Sequence, residues 1–329
     1  MVNLALSQDL SSSSNSAVLR RFHAGDRTFR RIALASAFLL LAMFAGILGA
    51  LTIGAWPAVR AFGLPFLWTE SWNPATEKFG ALAPIYGTLV TSTIAMLISV
   101  PVGIGIAIFL TELCPRSLRR PIGVAVELLA GIPSIIYGIW GLFVLAPFLQ
   151  QYVMPGFIAA FSNVPVLSSL FAGPPFGIGI FTAGLILGIM TLPFISAITR
   201  DVFETVPPVL KEAAYGLGAT TWEVQRNVVL PYARSGVVGG VMLALGRALG
   251  ETMAVTFVIG NAHRIAASLL APGTTISAAI ANEFTEAIGE LYEPALIELG
   301  LILFFLTASV LAVAQYMLYR LELRAGGRS

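Results

Sequence analysis

The sequence predicts an all-α protein that crosses a membrane several times, and three observations support this prediction. Of the 329 residues, 57% are hydrophobic and only 11% are charged, whereas soluble domains carry about 25% charged residues. Six apolar stretches are each long enough to span a bilayer, which takes about 20 helical residues. Lysine and arginine are concentrated in alternate connections between these stretches, as expected for loops on the cytoplasmic side.

The apolar stretches predict six transmembrane helices, at residues 32–56, 84–110, 123–149, 175–199, 235–260 and 294–319. The first is too long to be the hydrophobic core of a signal peptide, which has about 7–15 residues. A serine- and arginine-rich segment precedes it, and such composition is typical of disorder. We therefore divide the chain into a disordered cytoplasmic tail (1–31), a first transmembrane helix (32–56), a periplasmic loop (57–83), a core of five spans (84–319) and a short cytoplasmic tail (320–329).

The distribution of positive charge predicts that both termini are cytoplasmic. Fifteen of the 19 lysines and arginines lie in the two tails, the second-to-third loop and the fourth-to-fifth loop. The other three loops contain only Arg60, Lys78 and Arg264, and Arg247 lies inside the fifth predicted span. Because positive residues are retained on the cytoplasmic side, the fourth-to-fifth loop is predicted to face the cytoplasm.

Several chemistries are excluded by what the sequence lacks. One cysteine cannot form an internal disulfide or a cysteine metal cluster, and the two histidines fall in predicted tail and loop. No segment matches the phosphate-binding GxxxxGK[ST] loop. We therefore expect no cofactor and no enzymatic activity, and any ATP hydrolysis that drives this protein belongs to another chain.

The longest polar segment with helix-forming sequence is Lys211–Pro231, which reads KEAAYGLGATTWEVQRNVVLP. Its first part is helix-forming, and Gly216 and Gly218 then weaken or turn the helix. Thr220 and Glu223 have the spacing of a capping box, which predicts a second short helix. Pro231 is expected to end that helix at the entrance to the fifth span. Two interpretations remain open: a docking element for a partner, or a loop helix packed on the protein's own spans.

A second candidate site lies inside the fifth predicted span, in the sequence ALGRALGETMAV. Arg247 and Glu251 are four residues apart, so a continuous helix would place them on one face. A charge at mid-membrane depth costs at least about 2.5–3.5 kcal/mol, and such residues usually face a pathway or pair with each other. The donors of the planar arginine guanidinium match the geometry of an oxyanion. Two interpretations of Arg247 and Glu251 therefore remain open: a transport pathway for an anion, or a structural salt bridge.

The segment that begins with Glu212-Ala213-Ala214 resembles the signature of permeases from binding-protein-dependent ABC importers. Gly218 follows after three residues, and Val228-Val229-Leu230-Pro231 follows after nine more, with Val228 in place of the usual isoleucine. The resemblance implies the type I importer permease fold in the bacterial inner membrane. It also implies coupling helices at about residues 204–231 that contact the ATPase, with Glu212, Ala213, Ala214 and Gly218 in that role.

A longer resemblance connects the chain with the C permease subunits of phosphate-specific importers. The segments that carry it are PIYGTLVTS, ELLAGIPSIIYG, FAGPPFGIGI and GRALGETMAV. It implies transport of inorganic phosphate, with Arg247 and Glu251 in the pathway. The implied partners are a homologous A permease subunit, two ATP-binding subunits and a periplasmic phosphate-binding protein. Two alternatives are another oxyanion, such as molybdate, tungstate or sulfate, and a proton-coupled secondary transporter that uses Arg247 and Glu251.

Other charged residues have simpler interpretations. Glu127 is placed in the first turn of the predicted third span, near the cytoplasmic interface. Glu298 is expected at the outer interface, and His263 in an exposed loop. The last outer loop contains four glutamates that are interpreted as a solvated face: Glu283, Glu286, Glu290 and Glu293.

Overall fold

The computed structural model describes the backbone of residues 2–326 and the side chains of residues 28–320. Within these residues the regular elements are helical, apart from one isolated bridge between Asn73 and Lys78. The α-helices are α1 (Val2–Phe62), α2 (Leu82–Ile108), α3 (Arg116–Ala130), α4 (Ser134–Trp140), α5 (Ala146–Phe148), α6 (Met154–Phe161), α7 (Pro165–Leu170), α8 (Ile180–Glu204), α9 (Pro208–Gly216), α10 (Thr221–Val224), α11 (Leu230–Leu249), α12 (Met253–Val258), α13 (Ile276–Glu283) and α14 (Tyr292–Gly326).

Six helical runs in the described part of the chain are long and apolar enough to cross a membrane, as the sequence predicts. They are Thr28–Phe62, Leu82–Leu113, Ser134–Phe161, Ile180–Glu204, Thr221–Leu249 and Tyr292–Arg320. Short π-helical turns join α-helices within these runs at Gly141–Leu145, Leu149–Val153 and Gln225–Val229, and another ends the run of α2 at Phe109–Leu113.

The chain forms two compact units, Met1–Ile53 and Gly54–Ser329. In the first unit the described residues, 28–53, are helical, and their large apolar side chains are exposed, as expected of a lipid-facing span. Helix α1 starts well before residue 32, but residue 1 and the side chains up to residue 27 lie outside the described part. The disordered tail over residues 1–31 therefore stays a prediction.

The third span differs from the prediction. Instead of one helix over residues 123–149, the chain forms α3, turns at Gly131–Pro133, and begins the membrane-length run at Ser134. Pro133 lacks a backbone N–H and disfavours helical geometry at the residue before it. Residues 116–130 form a separate amphipathic helix, because arginine and glutamate occupy one side of it. The prediction that the third span begins at residue 123 was therefore wrong.

The fifth span also differs from the predicted residues 235–260. A helical run continues from Thr221 to Leu249, and Gly250 then ends it. After Gly250 the chain forms the short helix α12 before entering the last outer loop. Glycine is a weak helix former, and here it separates Arg247 and Glu251 into different elements.

Helices α2 and α8 pack closely because glycines line their contact. A Cβ added at Gly103 of α2 would lie 2.8 Å from Ile195 Cγ2, and one at Gly184 of α8 would lie 2.7 Å from Ile94. Small residues let transmembrane helices approach and gain van der Waals contact. Helix α8 is largely buried on both sides of Pro193, which makes it the central helix of the second unit.

We expect Gly103→Ala to destabilise the protein by about 1–3 kcal/mol, because overpacking at Ile195 forces side chains or backbone to shift. Gly105→Ala is the matched control, since an added Cβ there meets nothing within 4 Å and alanine favours the helix. Thermal unfolding of the purified protein in detergent measures both. Equal midpoints for the two variants would contradict the packing described here.

Candidate functional site

The segment between α8 and α11 folds into two short helices joined by a tight turn. Helix α9 ends in a Schellman motif, in which the Ala219 N–H donates to the Ala214 carbonyl at 3.1 Å and the Gly218 N–H donates to the Tyr215 carbonyl at 2.9 Å. Gly218 has φ +85°, a left-handed conformation that glycine adopts without strain. The glycine of the signature is therefore required by the turn.

Helix α10 begins with the predicted capping box. The Thr220 hydroxyl accepts from the Glu223 N–H, and the Glu223 carboxylate accepts from the Thr220 N–H at 2.8 Å. The expectation that Pro231 ends this helix was wrong, because the helix continues through a π turn into α11. In a regular α-helix the Pro231 ring would clash with the carbonyl oxygen one turn earlier. Here the wider π turn lies directly before α11, the helix that contains Pro231.

An ion pair anchors α9 to the end of α2. Lys211 Nζ lies 2.7 Å from Glu112 Oε1, and both side chains are mostly buried. Glu112 belongs to the π turn that follows α2, so this contact joins the segment to the membrane helices. Sequence reasoning treated Lys211 only as a topology charge, because its partner is 99 residues away.

This segment exposes several apolar residues. Leu217 is 91% exposed and Trp222 is 64% exposed, and three more apolar side chains are exposed with them: Val209, Leu210 and Tyr215. We call these five residues the apolar docking face. Exposed apolar patches of this kind mark interaction surfaces.

The four residues assigned to coupling by resemblance occupy different environments. Glu212 and Ala213 are exposed, whereas Ala214 is half-buried and packs against the core around Phe203. Gly218 forms the turn, and the space that a Cβ would occupy there is open to 4 Å. Glu212 and Ala213 are thus accessible to a partner, while Ala214 and Gly218 shape the segment.

Arg247 lies in the last turn of α11, opposite the middle of α8. Along this contact Gly236 approaches Val202 and Gly240 approaches Ile198. Further along, the Arg247 guanidinium stacks over the Phe194 ring, 4.6 Å from its centroid. Arg247 is exposed, and it also lies where cations stabilise a helix C-terminus.

Arg247 and Glu251 do not form the ion pair that a continuous helix would allow. Among residues 28–320, no carboxylate oxygen lies within 4.0 Å of the Arg247 nitrogens. One Glu251 oxygen instead accepts from the Ala254 N–H at 3.4 Å, next to the first turn of α12. The sequence prediction that they share one helical face was wrong because Gly250 ends α11.

Glu127 is not at the start of a span. It lies near the end of α3, where its carboxylate is 2.7 Å from Arg200 of α8. Arg200 also contacts Asp201 at 3.0 Å. Glu127 and Arg200 line a basic cleft that the sequence did not reveal, because α3 and α8 are far apart in the chain.

At the opposite end of the second unit, a buried carboxylate gathers aromatic residues from distant loops. Glu283 accepts hydrogen bonds from Trp72 Nε1 and the Tyr292 hydroxyl, both at 2.7 Å, and contacts His263 Nε2 at 2.5 Å. The Trp72 and His263 rings stack with centroids 4.7 Å apart. We call these four residues the outer cluster. Burial would raise the pKa of Glu283, but these hydrogen bonds outweigh burial and hold its pKa below the ordinary value.

The outer cluster corrects two expectations. His263 is 12% exposed and Glu283 is 20% exposed, so neither belongs to a solvated loop face, whereas Glu286, Glu290 and Glu293 are exposed as expected. Glu298 is 6% exposed, so it is buried in the protein, and its position at the outer interface stays a prediction. Trp72 and Glu283 are 211 residues apart, a contact that no local pattern indicates.

Comparison with known proteins agrees with the geometry of the two short helices and the helical bundle. Residues 99–324 match the family described as binding-protein-dependent transport system inner membrane component. This chain belongs to that family. It is a multi-pass inner-membrane permease subunit of an ABC importer, which works with further subunits and a binding protein.

Family members with closely similar sequences are named phosphate transport system permease protein PstC. The one from Mesorhizobium japonicum is 67% identical, over 95% of this chain and 96% of its own length. The one from Pasteurella multocida is 55% identical, over 92% of this chain and 95% of its own length.

Solved structures of more distant permeases share the fold. A chain of a bacterial alginate ABC transporter superimposes with a TM-score of 0.58 at 18% identity, covering 89% of this chain and 96% of its own. A chain of the inward-facing MetNI methionine transporter gives a TM-score of 0.54 at 18% identity, covering 72% and 94%. The predicted importer permease fold is confirmed.

We expect the outer cluster to lose stability in acid. Because the pKa of Glu283 is lower in the folded protein than in the unfolded chain, its carboxylate stabilises the fold fully above the unfolded value of roughly 4.3. That contribution disappears as the pH falls through the lower folded value. The unfolding midpoint of wild type should therefore drop more than that of Glu283→Gln between about pH 5 and pH 3. Equal pH dependence of the two proteins would contradict this assignment.

Proposed function

We propose that this chain forms half of the translocation pathway of an ATP-driven importer of inorganic phosphate. Its partners are a homologous permease subunit, two ATP-binding subunits and a periplasmic phosphate-binding protein. The relatives named as phosphate transport permeases, similar over nearly the whole chain, support this cargo. Both termini and the segment 204–231 face the cytoplasm, as the positive charges indicate.

Coupling to the ATPase is assigned to the two helices of that segment. The apolar docking face is exposed on it, and Glu212 and Ala213 are exposed beside this face. Burial of an exposed leucine or valine in a partner groove contributes roughly 1.5–3 kcal/mol. The anchor between Lys211 and Glu112 transmits movement of the segment to α2.

The pathway assignment rests on one observation, the exposure of Arg247 at mid-membrane depth. Arg247 stacks on Phe194, near the middle of α8, so its depth is close to that of the bilayer centre. A charge facing hydrocarbon there costs at least about 2.5–3.5 kcal/mol. The side of α11 that carries Arg247 therefore faces the partner permease or a water-filled pathway. The break at Gly250 supports this, because non-helical backbone at membrane depth is tolerated only against protein or a cavity.

A mechanism of alternating access follows from these elements. ATP binding closes the partner ATPases and displaces the segment that is seated on them. The helical run from Thr221 to Leu249 is uninterrupted, so the displacement reaches Arg247 over roughly 39 Å. The spans then open towards the loaded binding protein. Phosphate passes Arg247, whose planar donors match an oxyanion, and leaves inward when ATP is hydrolysed.

Leu217→Asp should abolish ATPase docking while the permease remains folded in the membrane. A carboxylate at the most exposed position of the apolar docking face cannot enter an apolar groove without losing its hydration. Ile288→Asp is the matched control, because Ile288 is also 91% exposed but lies in the last outer loop. Co-purification of the ATP-binding subunits should fall roughly tenfold or more for Leu217→Asp only. Normal co-purification would overturn the docking assignment.

Arg247→Gln should lower phosphate uptake by the reconstituted complex roughly ten- to hundredfold, since a hydrogen bond to a charged group contributes about 1.5–3 kcal/mol. Arg247→Lys should recover only part of the rate, because lysine lacks the planar fork. Arg320→Gln, at the end of α14, is the control for loss of one charge. The assay measures labelled phosphate uptake, with molybdate and sulfate as competitors.

Two results would count against this proposal. Loss of complex assembly in Arg247→Gln to the same extent as loss of uptake would make Arg247 a structural residue. Uptake of molybdate or sulfate in preference to phosphate would replace the cargo while leaving the permease assignment intact.

A further inference from the structure

A basic cleft lies between α3 and the end of α8, and neither coupling nor the pathway uses it. Four arginines, two glutamates and one valine line its volume of about 330 Å³: Arg116, Arg119, Arg120, Val124, Glu127, Arg200 and Glu204. We call it the arginine cleft. It lies at the same end of the bundle as α9, because Arg119 donates to the Thr111 carbonyl at 2.5 Å and Thr111 is next to Glu112, the partner of Lys211.

The positive charge of the arginine cleft is only partly neutralised. Glu127 and Asp201 pair with Arg200. Within the described residues no carboxylate lies within 4.0 Å of Arg116 or Arg120, and both side chains are exposed. Arg119 Nε is buried and has no hydrogen-bond partner. The cleft therefore presents the guanidinium donors of Arg116 and Arg120 and a net positive charge, which suit a phosphate group.

The backbone of α3 is shaped to bring Arg200 into the cleft. A Cβ added at Gly123 would lie 2.8 Å from the Arg200 guanidinium, so the glycine lets this side chain cross the helix surface to reach Glu127. In consequence Arg200 joins the arginines of α3 on a common wall. Helical spacing places Arg116, Arg120 and Glu127 on this same face of α3.

The adjacent face of α3 is apolar and exposed. Val124 lines the cleft and is 46% exposed, and Leu128 and Leu129 are 68% and 45% exposed further along the helix. The three arginines of α3 lie in its first turns, and apart from Glu127 the residues that follow towards Ser134, where the third span begins, are mostly apolar. This order, with arginines at the rim of the cleft and apolar residues deeper along the helix, matches the polarity of a phospholipid. The headgroup would lie at the rim and the acyl chains beside the helix.

We propose that the arginine cleft binds the phosphate headgroup of an anionic phospholipid of the cytoplasmic leaflet. Basic pockets between transmembrane helices on the cytoplasmic side suit such headgroups. The bound lipid accepts hydrogen bonds from Arg116 and Arg120, and its acyl chains cover Val124 and Leu128. It thereby holds α3 against α8 beside the anchor of the coupling segment.

The test measures phosphatidylglycerol retained by the assembled importer in nanodiscs of phosphatidylglycerol diluted in phosphatidylcholine. Native mass spectrometry after extraction counts the lipids on the wild-type complex, on Arg116→Gln/Arg120→Gln, and on the matched control Arg264→Gln/Arg320→Gln. We expect wild type and control to retain phosphatidylglycerol over phosphatidylcholine. The cleft variant should retain roughly tenfold less, because each arginine near an anionic headgroup strengthens binding several-fold.

Three outcomes would overturn the proposal. The first is that wild type, which needs no substitution to fold, shows no preference for phosphatidylglycerol. The second is that the cleft variant retains as much phosphatidylglycerol as the control. The third is that labelled inorganic phosphate, rather than lipid, binds wild type in pure phosphatidylcholine and is lost in the cleft variant, which would make free phosphate the occupant. Uptake of phosphate by the same complexes is measured separately, so failure of the lipid site does not count against the transport function.

Discussion

The fold depends on one constraint, the need of every backbone N–H and C=O in the bilayer to be hydrogen-bonded within the protein. Long helical runs satisfy it, and π turns keep those runs continuous where an α-helix alone would break. Two helix interruptions bear on function, at Gly131–Pro133 and at Gly250, and the helices that follow them, α4 and α12, pack together where Gly138 approaches Ala254.

Local patterns predicted the local features well. The capping box of Thr220 and Glu223 and the turn at Gly218 follow from residues within a few positions of each other, and the structure confirms both. The number of spans follows from the bilayer thickness, which sets a minimum length for each apolar run. Their bounds were less reliable, because proline and glycine end helices inside stretches that remain apolar on both sides, as at Pro133 and Gly250.

Contacts between distant segments could not be predicted from the sequence. The anchor of Lys211 on Glu112, the pair of Glu127 and Arg200, and the hydrogen bond of Trp72 to Glu283 join residues 73–211 positions apart. A single sequence contains no signal for such pairs, and each residue alone is interpreted as a surface charge or an interfacial aromatic. The assumption of a continuous helix placed Arg247 beside Glu251, and the interruption at Gly250 removes that contact.

The π turn at Gln225–Val229 determines in which directions, around the axis of the fifth helical run, Trp222 and Arg247 point. In an ideal α-helix Trp222 and Arg247 would point in nearly the same direction, since the 25 residues between them make almost seven turns of 3.6 residues. The π turn accommodates about one extra residue, which rotates everything beyond it by about 100°. Trp222 and Arg247 therefore diverge by roughly a third of a turn. One continuous helical run can then serve two subunits that approach it from different sides.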